Sequence, residues 1–412
     1  MMKILALSSW FPYPPHNGAR MRVHNLLRQL AQWHEVVLLS FAQEEVMAQE
    51  IEAVRAYCKK VTVVPFKPFR PHRLRALVGL FRPQPRVLTD LYSPEMERLL
   101  EATLRRETFD LALAFAIGPS AVTALYIRQA KGIPRVLEDL ELSIIRDRIA
   151  NERRRPQRWR LRLTWWKLRN FTARLLQDLE GCTVASERER DLLLSIVPGY
   201  CPLLVVPNGV DLERYGDVFG PPEPDTLVFP GALTYKANFD AMIFFLREVF
   251  PQLKAQRPAV RLYITGRTDG VPVDRLPVCD GVIFTGYLDD IRPRIAQSQV
   301  CVVPMTMGGG TRLKILEAMA LGTPVVATSK GAEGLEVTPG QDILIANEPA
   351  AFAEAVLSLL SDRELRSRLA ENARQLVREK YDWKTIGSTF EAFLREVVAA
   401  KRRTSARTGR QG

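Results

Sequence analysis

Histidine is scarce in this chain of 412 residues. His16, His24, His34 and His72 all lie in the first fifth and show no metal spacing, which argues against a histidine-ligated zinc site or a Ser-His-Asp triad. The five cysteines (Cys58, Cys182, Cys201, Cys279, Cys301) are odd in number, scattered and without a C-x-x-C pair. That excludes a disulfide framework and predicts reduced, mostly buried thiols in a cytoplasmic protein. No apolar run approaches the roughly 20 residues that cross a bilayer. The opening "MMKILALSSWFPYPP" lacks the long apolar stretch and small-residue cleavage site of a signal peptide, so it reads as a first β-strand. No G-x-G-x-x-G follows that strand, which argues against a dinucleotide-dependent dehydrogenase.

What the chain does have is positive charge, unevenly placed. The net charge is +12, yet segments 59–86, 146–175 and 401–412 carry +8, +9 and +5, so the remainder is mildly acidic. Local basic patches on an acidic body point to a local anionic partner. With 47% apolar and 25% charged residues, the length suggests about two globular domains.

Apolar runs alternate with helical periodicity almost throughout. "KILAL", "EVVLLSF", "VTVVPF", "DLALAFA", "PRVLE", "CTVA" and "PLLVVP" read as strands in the first half. "TLVFPG", "VRLYITG", "GVIFTG", "VCVVP", "TPVVATS" and "DILIAN" do so in the second. Continuous β-branched strands with helices between them predict parallel sheets covered on both faces, hence an α/β fold of two doubly wound, Rossmann-like domains facing across a cleft. The expected boundaries are 1–206 for the first domain, 207–225 for a Pro- and Gly-rich hinge, 226–381 for the second domain, 382–400 for a final helix and 401–412 for a disordered basic tail.

One stretch concentrates chemistry: "GGGTRLKILEAMALGTPVV", from Gly308 to Val326. Glycines at the end of a strand let backbone N–H groups approach a ligand, and the helix start that follows carries partial positive charge suited to phosphate. Arg312 and Lys314 add full charges there. Glu317 sits on the same helix among Leu313, Leu316 and Ala320, where burying a carboxylate costs several kcal/mol on order-of-magnitude grounds unless it is paired. A structural arginine or a ligand would supply that pairing.

This stretch resembles the nucleotide-sugar segment of retaining GT-B glycosyltransferases of the family-4 type, whose pattern is roughly E-G-F-G-L-x-x-L-E-A-M-A-x-G-x-P-V-V. "PNGVDLERY", "GALTYKANFDAMIFFLREVFPQL", "FTGYLDDIRPRIAQSQVCVVP" and "KYDWKTIGSTFEAFL" extend the likeness, the last as a helix crossing back onto the N-terminal domain. The resemblance implies that Glu317 binds the ribose diol and that backbone amides around Gly310, Thr311 and Leu313 meet the diphosphate. It also implies donor contacts from Gly231, Asn238 and, on the N-terminal domain, Gly18. The donor would be a nucleotide diphosphate sugar, held by amides and cations, with no metal and no other cofactor.

The departures are specific. The family's first Glu falls on Gly309, the Arg of its G-R-L-x-x-x-K loop on Ala232, and its His on Phe115; Lys236 stands one position early for the loop's Lys. Arg312 and Lys314 are the expected substitutes on the leaving diphosphate. Among Glu138, Asp139 and Glu141, at the end of "PRVLEDLELS", Asp139 is taken as the catalytic carboxylate, although a solvated loop fits equally. The expected activity is transfer of the sugar, with retention, to a lipid-linked or polysaccharide acceptor. A sugar-nucleotide epimerase and an inactive scaffold are the alternatives.

In the basic segments, Leu74, Leu77, Val78 and Phe81 recur at helical spacing beside arginines. In "RWRLRLTWWKLRNFTARLLQDL", Leu161, Trp165, Leu168, Leu175 and Leu179 form one stripe, and Trp159, Leu163 and Trp166 a second on nearly the opposite side. An anionic membrane surface bound through 59–86 and 146–175 fits this pattern, placing the protein peripherally on the inner face of the plasma membrane. A solvated or helix-covered face fits as well. Nucleic acid is not expected, since no recognised binding motif accompanies the charge.

Overall fold

Every apolar run named above forms a strand. The computed structural model describes residues 1–116, 122–216, 219–308 and 312–408. In it β1 (Lys3–Ser8), β2 (Glu35–Ala42), β3 (Lys60–Pro65), β4 (Leu111–Phe115), β5 (Arg135–Glu138), β6 (Gly181–Val184) and β7 (Leu203–Val205) make a sheet in the order β3-β2-β1-β4-β5-β6-β7. A second sheet takes β8 (Glu223–Pro230), β9 (Arg261–Thr265), β10 (Val282–Gly286), β11 (Ser298–Val303), β12 (Val325–Ala327) and β13 (Leu344–Ile345) in the order β10-β9-β8-β11-β12-β13. All of these pairings are parallel: Leu5 lies level with Val37 and Ala112, and Val228 with Tyr263 and Cys301. Parallel neighbours need helical crossovers, which cover both faces and explain why β4 is buried at every residue.

The chain divides into two units, Met1–Asn208 with Ile386–Gly412, and Gly209–Thr385. In each sheet the strand order reverses beside its first strand, between β1 and β4 and between β8 and β11. Ligands of doubly wound sheets bind at the carboxyl ends of the strands flanking such a reversal. The helices used below are α1 (Gly18–Ala31), α2 (Leu74–Val78), α3 (Ser143–Asn151), α4 (Arg155–Leu176), α5 (Lys236–Phe244), α6 (Leu313–Leu321) and α7 (Trp383–Thr408). Asn17 caps α1 by accepting from the Arg20 N–H at 2.9 Å, and Val23, Leu26, Leu27 and Leu30 bury one face of that helix.

Two expectations need correction. The segment 207–225 is not wholly a linker, because β8 already begins at Glu223. The basic tail is not structureless from 401: α7 continues to Thr408, because its cations find acids on the first unit. Lys401 pairs with Glu180 at 2.8 Å, and Arg402 with Asp110. From Ile386 onward α7 belongs to that unit. It buries Phe390, Leu394, Val397 and Val398, and Glu391 meets the His34 ring at 2.8 Å. Glycine makes this close docking feasible: a Cβ on Gly387 would lie 2.5 Å from the Gln29 Cβ, and one on Gly181 3.1 Å from Val397 Cγ2.

Candidate functional site

In the second unit the loop after β8 and the helix after β11 meet at the strand-order reversal. Ile315, Leu316, Ala318 and Met319 bury one side of α6. Gly322 ends the helix at φ 74°, and a Cβ there would stand 2.3 Å from the Arg374 guanidinium. Glu317 and Lys314 lie on the partly buried side of the same helix. The Tyr215 hydroxyl donates to Glu317 Oε1 at 3.0 Å, so the partner is a tyrosine and not a structural arginine. Burial raises the Glu317 carboxyl above its ordinary pKa, and the Tyr215 bond and the Lys314 charge offset part of that rise.

Lys314 faces the loop. Its Nζ donates to Asn238 Oδ1 at 2.8 Å and lies 4.3 Å from the centre of the Phe229 ring. Burial pulls the ammonium down to about 8. Asn238 in turn donates to the Ala232 carbonyl at 2.8 Å. A Cβ on Gly231 would come within 2.9 Å of Lys314 Nζ and 2.8 Å of Asn238 Nδ2, so this turn must be glycine. Lys314 therefore stands against the loop in which Ala232 replaces the expected arginine. Arg312 is buried, and its Nη2 donates to the carbonyls of Gly308 at 2.8 Å and Lys330 at 3.0 Å, tying together the two ends of the segment around the helix start.

The remaining expected donor residues divide. Leu313 opens α6, and Gly309, Gly310 and Thr311 lie outside the described residues. Lys236 is not drawn into the cluster; it is exposed and pairs with Asp240 one turn along α5. Gly18 is the exposed first residue of α1 in the first unit.

The first unit holds a second concentration of charge at the end of β5. Glu138 is fully buried, and its Oε1 accepts from Arg22 Nε at 2.9 Å and from Arg22 Nη2. Arg22, equally buried on α1, also donates to Asn208 Oδ1 at 3.0 Å and to the Val206 carbonyl at 2.7 Å. Asp139 follows in the left-handed region, at φ 59°, with Oδ2 3.4 Å from Arg22 Nε. Among the described residues neither Asp139 Oδ1 nor Glu138 Oε2 has a hydrogen-bond partner, although both atoms are buried. Burial raises the Glu138 carboxyl, Arg22 opposes the rise, and the Asp139 charge adds to it. Glu141 is pushed up to about 8 by burial and then by the charges of Asp139 and Glu189. A strained backbone, orphaned carboxylate oxygens and raised pKa values at a strand end make this a candidate functional cluster.

Arg22, Asn208 and Tyr215 escaped the sequence reading. Arg22 left a trace, since it shares the i, i+4, i+8 stripe of α1 with buried Leu26 and Leu30. Tyr215 and Asn208 lie in "PNGVDLERY" with nothing local to single them out.

Residues 224–362 match the family described as glycosyl transferases group 1, and residues 16–214 match glycosyltransferase family 4. The chain is similar to a glycogen synthase of Mycobacterium tuberculosis, 30% identical over 242 residues, covering 55% of this chain and 56% of that one. It is also similar to a phosphatidyl-myo-inositol mannosyltransferase of the same organism, 28% identical over 200 residues, with 44% and 51% covered. The matches span about half the length of these curated relatives. Among solved structures, sucrose-phosphate synthase from Thermosynechococcus elongatus superimposes with a TM-score of 0.65 at 18% identity, over 97% of this chain and 100% of that one. Anabaena HepE, solved with UDP and glucose, gives 0.65 at 17% identity over 96% and 100%. At such identities the likeness is one of fold.

Proposed function

We propose that this chain, which belongs to the group 1, family 4 glycosyltransferases, moves a sugar from a nucleotide diphosphate sugar to an acceptor hydroxyl. The observation that carries the reading is the pairing on α6 of a desolvated carboxylate and a desolvated ammonium one turn apart, Glu317 and Lys314, at the carboxyl ends of β8 and β11. Glu317 accepts from the ribose diol, while Tyr215 holds the carboxylate in place. Lys314, with the amides of the helix start, takes the negative charge that grows on the departing diphosphate. The glycosidic bond to the diphosphate oxygen breaks, and the acceptor oxygen bonds to the anomeric carbon from the same face, with retention. The acceptor hydroxyl gives its proton to the departing diphosphate oxygen as that bond forms. On the first unit Asp139, whose Oδ1 has no partner among the described residues, is the candidate carboxylate for binding an acceptor hydroxyl. The acceptor is a glycan or a lipid-linked sugar.

A thermal-shift screen of nucleoside diphosphates and their sugars, begun with the uridine series, tests the donor half. Ligand at a hundredfold excess over Kd stabilises by about 2.7 kcal/mol, which raises the melting temperature by several degrees. If none of these ligands moves the melting point, the reading fails. Transfer of labelled sugar to an acceptor tests the rest; interconversion of two nucleotide sugars without acceptor would instead indicate an epimerase.

Lys314 makes the donor half pH-dependent. Its ammonium, held down to about 8 by burial, is charged below that pH and neutral above it. Affinity for a nucleoside diphosphate should therefore fall as pH rises through 8, by up to about tenfold per pH unit until the proton is lost from the complex as well. Calorimetric titrations across this range, with the bare nucleoside as control, check it. Lys314→Gln should bind the diphosphate weakly at every pH, and a profile unchanged from wild type would remove Lys314 from the diphosphate.

A further inference from the structure

The two basic segments are far apart in sequence, yet the first unit brings them together. Lys167 on α4 is buried, and its Nζ donates to the carbonyls of Gly79 at 3.2 Å and Leu80 at 2.6 Å, just past the end of α2. Burial lowers the pKa of this ammonium, and carbonyl oxygens are its partners here, so it acts as a clamp between the segments. The helical spacing of Leu74, Leu77, Val78 and Phe81 suits a stripe packed against a neighbour, but α2 turns Leu74, Leu77 and Val78 outward and buries Ala76 instead, and Phe81 past its end is exposed too. Phe81 is 93% exposed and Leu74 78%.

On α4 the expected core-facing stripe buries Leu168 and Leu175 but leaves Leu161 and Trp165 half-buried; in the opposite stripe Trp159 is 68% and Trp166 57% exposed, with Leu163 half-buried between them. One position back from each tryptophan runs a second row. Arg158, Arg162, Trp165 and Arg169, with Arg146 of α3, line a cavity of about 490 Å³. The Arg146 guanidinium lies 5.9 Å from the centre of the Trp165 ring. At about 100° per residue the tryptophan row lies between this arginine row and Lys167. In order around α4 come arginines, then tryptophans, then the clamp that carries Leu80 and Phe81. No acidic residue occurs in α4 or in residues 59–86.

We propose that this face docks the protein on an anionic lipid bilayer, with Phe81, Trp159 and Trp166 entering the interface and the arginine row meeting lipid phosphates. Charge and apolar exposure select that partner together. A nucleic acid would use the arginines and leave the exposed Phe81 and Leu74 in water. An interfacial helix carries tryptophans beside its cations, as α4 does, and no helix among the described residues is long and apolar enough to cross the bilayer. The proposal concerns location alone and does not depend on the transfer reaction.

The test is sedimentation of the full chain with vesicles of phosphatidylglycerol and phosphatidylcholine in equal parts, and with pure phosphatidylcholine. The expected result is binding to the anionic vesicles only, weakened by salt, with a blue shift of tryptophan emission. The triple substitution Phe81→Ser, Trp159→Ala, Trp166→Ala should weaken binding at least about tenfold, given the apolar area withdrawn from the interface, and should leave the melting temperature unchanged because all three side chains are exposed. Arg158→Gln with Arg162→Gln should flatten the salt dependence. Wild-type protein left in solution at low salt overturns the proposal. So does a triple variant that binds as wild type, and so does release from the vesicles by a short nucleic-acid duplex at equal phosphate.

Discussion

Glu317→Gln should weaken the nucleoside diphosphate by about tenfold to a hundredfold, the range that follows from losing one hydrogen bond to a charged acceptor. The same variant should melt as cooperatively as wild type and at the same temperature or slightly higher. Glutamine matches the shape of the side chain and keeps an oxygen for the Tyr215 hydroxyl. It lacks the negative charge, which burial already disfavours in the ligand-free protein. Gain in stability with loss of affinity is what a residue retained for binding produces. Titration calorimetry beside a thermal melt separates the outcomes: unchanged affinity removes Glu317 from the nucleotide, and a variant that merely unfolds makes its role structural.

The largest effect on stability should come from Arg22→Met. The substitution leaves Glu138 fully buried with its two guanidinium bonds gone, and removes the Arg22 donors from Asn208 Oδ1 and the Val206 carbonyl as well. Breaking a buried pair from one side costs about 3–5 kcal/mol. The deficit should depend on pH, with a definite sign. A carboxyl whose folded-state pKa is raised above its ordinary 4.5 takes up a proton on folding, so stability falls as pH climbs from about that value through the folded pKa. Without Arg22 the folded pKa rises further, and the loss extends to higher pH. The variant should be closest to wild type near pH 5, where Glu138 is protonated and needs no cation, and furthest from it near pH 8. Urea unfolding at the two pH values measures this. A deficit independent of pH would mean that lost packing, and not the orphaned carboxylate, sets the cost. Arg22→Met with Glu138→Leu should recover much of the stability.

The sheets were legible because parallel strands buried on both faces must be continuously apolar, and such runs as "EVVLLSF" or "VCVVP" allow few other readings. Glu317 and Lys314 were legible for the opposite reason, as charges where the pattern demanded apolar residues. What stayed hidden depends on partners distant in sequence. Tyr215 lies far from Glu317 along the chain, and Asp139 looks like any loop acid until Arg22 is placed beside it. The placement of Lys236 was not legible because spacing along a helix start does not say which way the side chain points; on α5 it points outward to Asp240. The tail misled because low apolar content was taken for disorder, while ion pairs with Glu180 and Asp110 fasten Lys401 and Arg402.

The placement of α7 has a consequence for the order in which the protein is made. Residues up to Asn208 leave the ribosome first, but the part of α7 that covers their unit begins at Ile386, roughly 180 residues later. At translation speeds of about 5–20 residues per second, the gap lasts on the order of ten to forty seconds. Throughout it the nascent first unit lacks Phe390, Leu394 and Val397, and Gln29 and Gly181 face solvent where α7 will press against them. The second unit, whose residues run without interruption from Gly209 to Thr385, has no such wait. The unit synthesised first is thus the one completed last, and a chain released before Ile386 would carry a finished second unit behind an unfinished first.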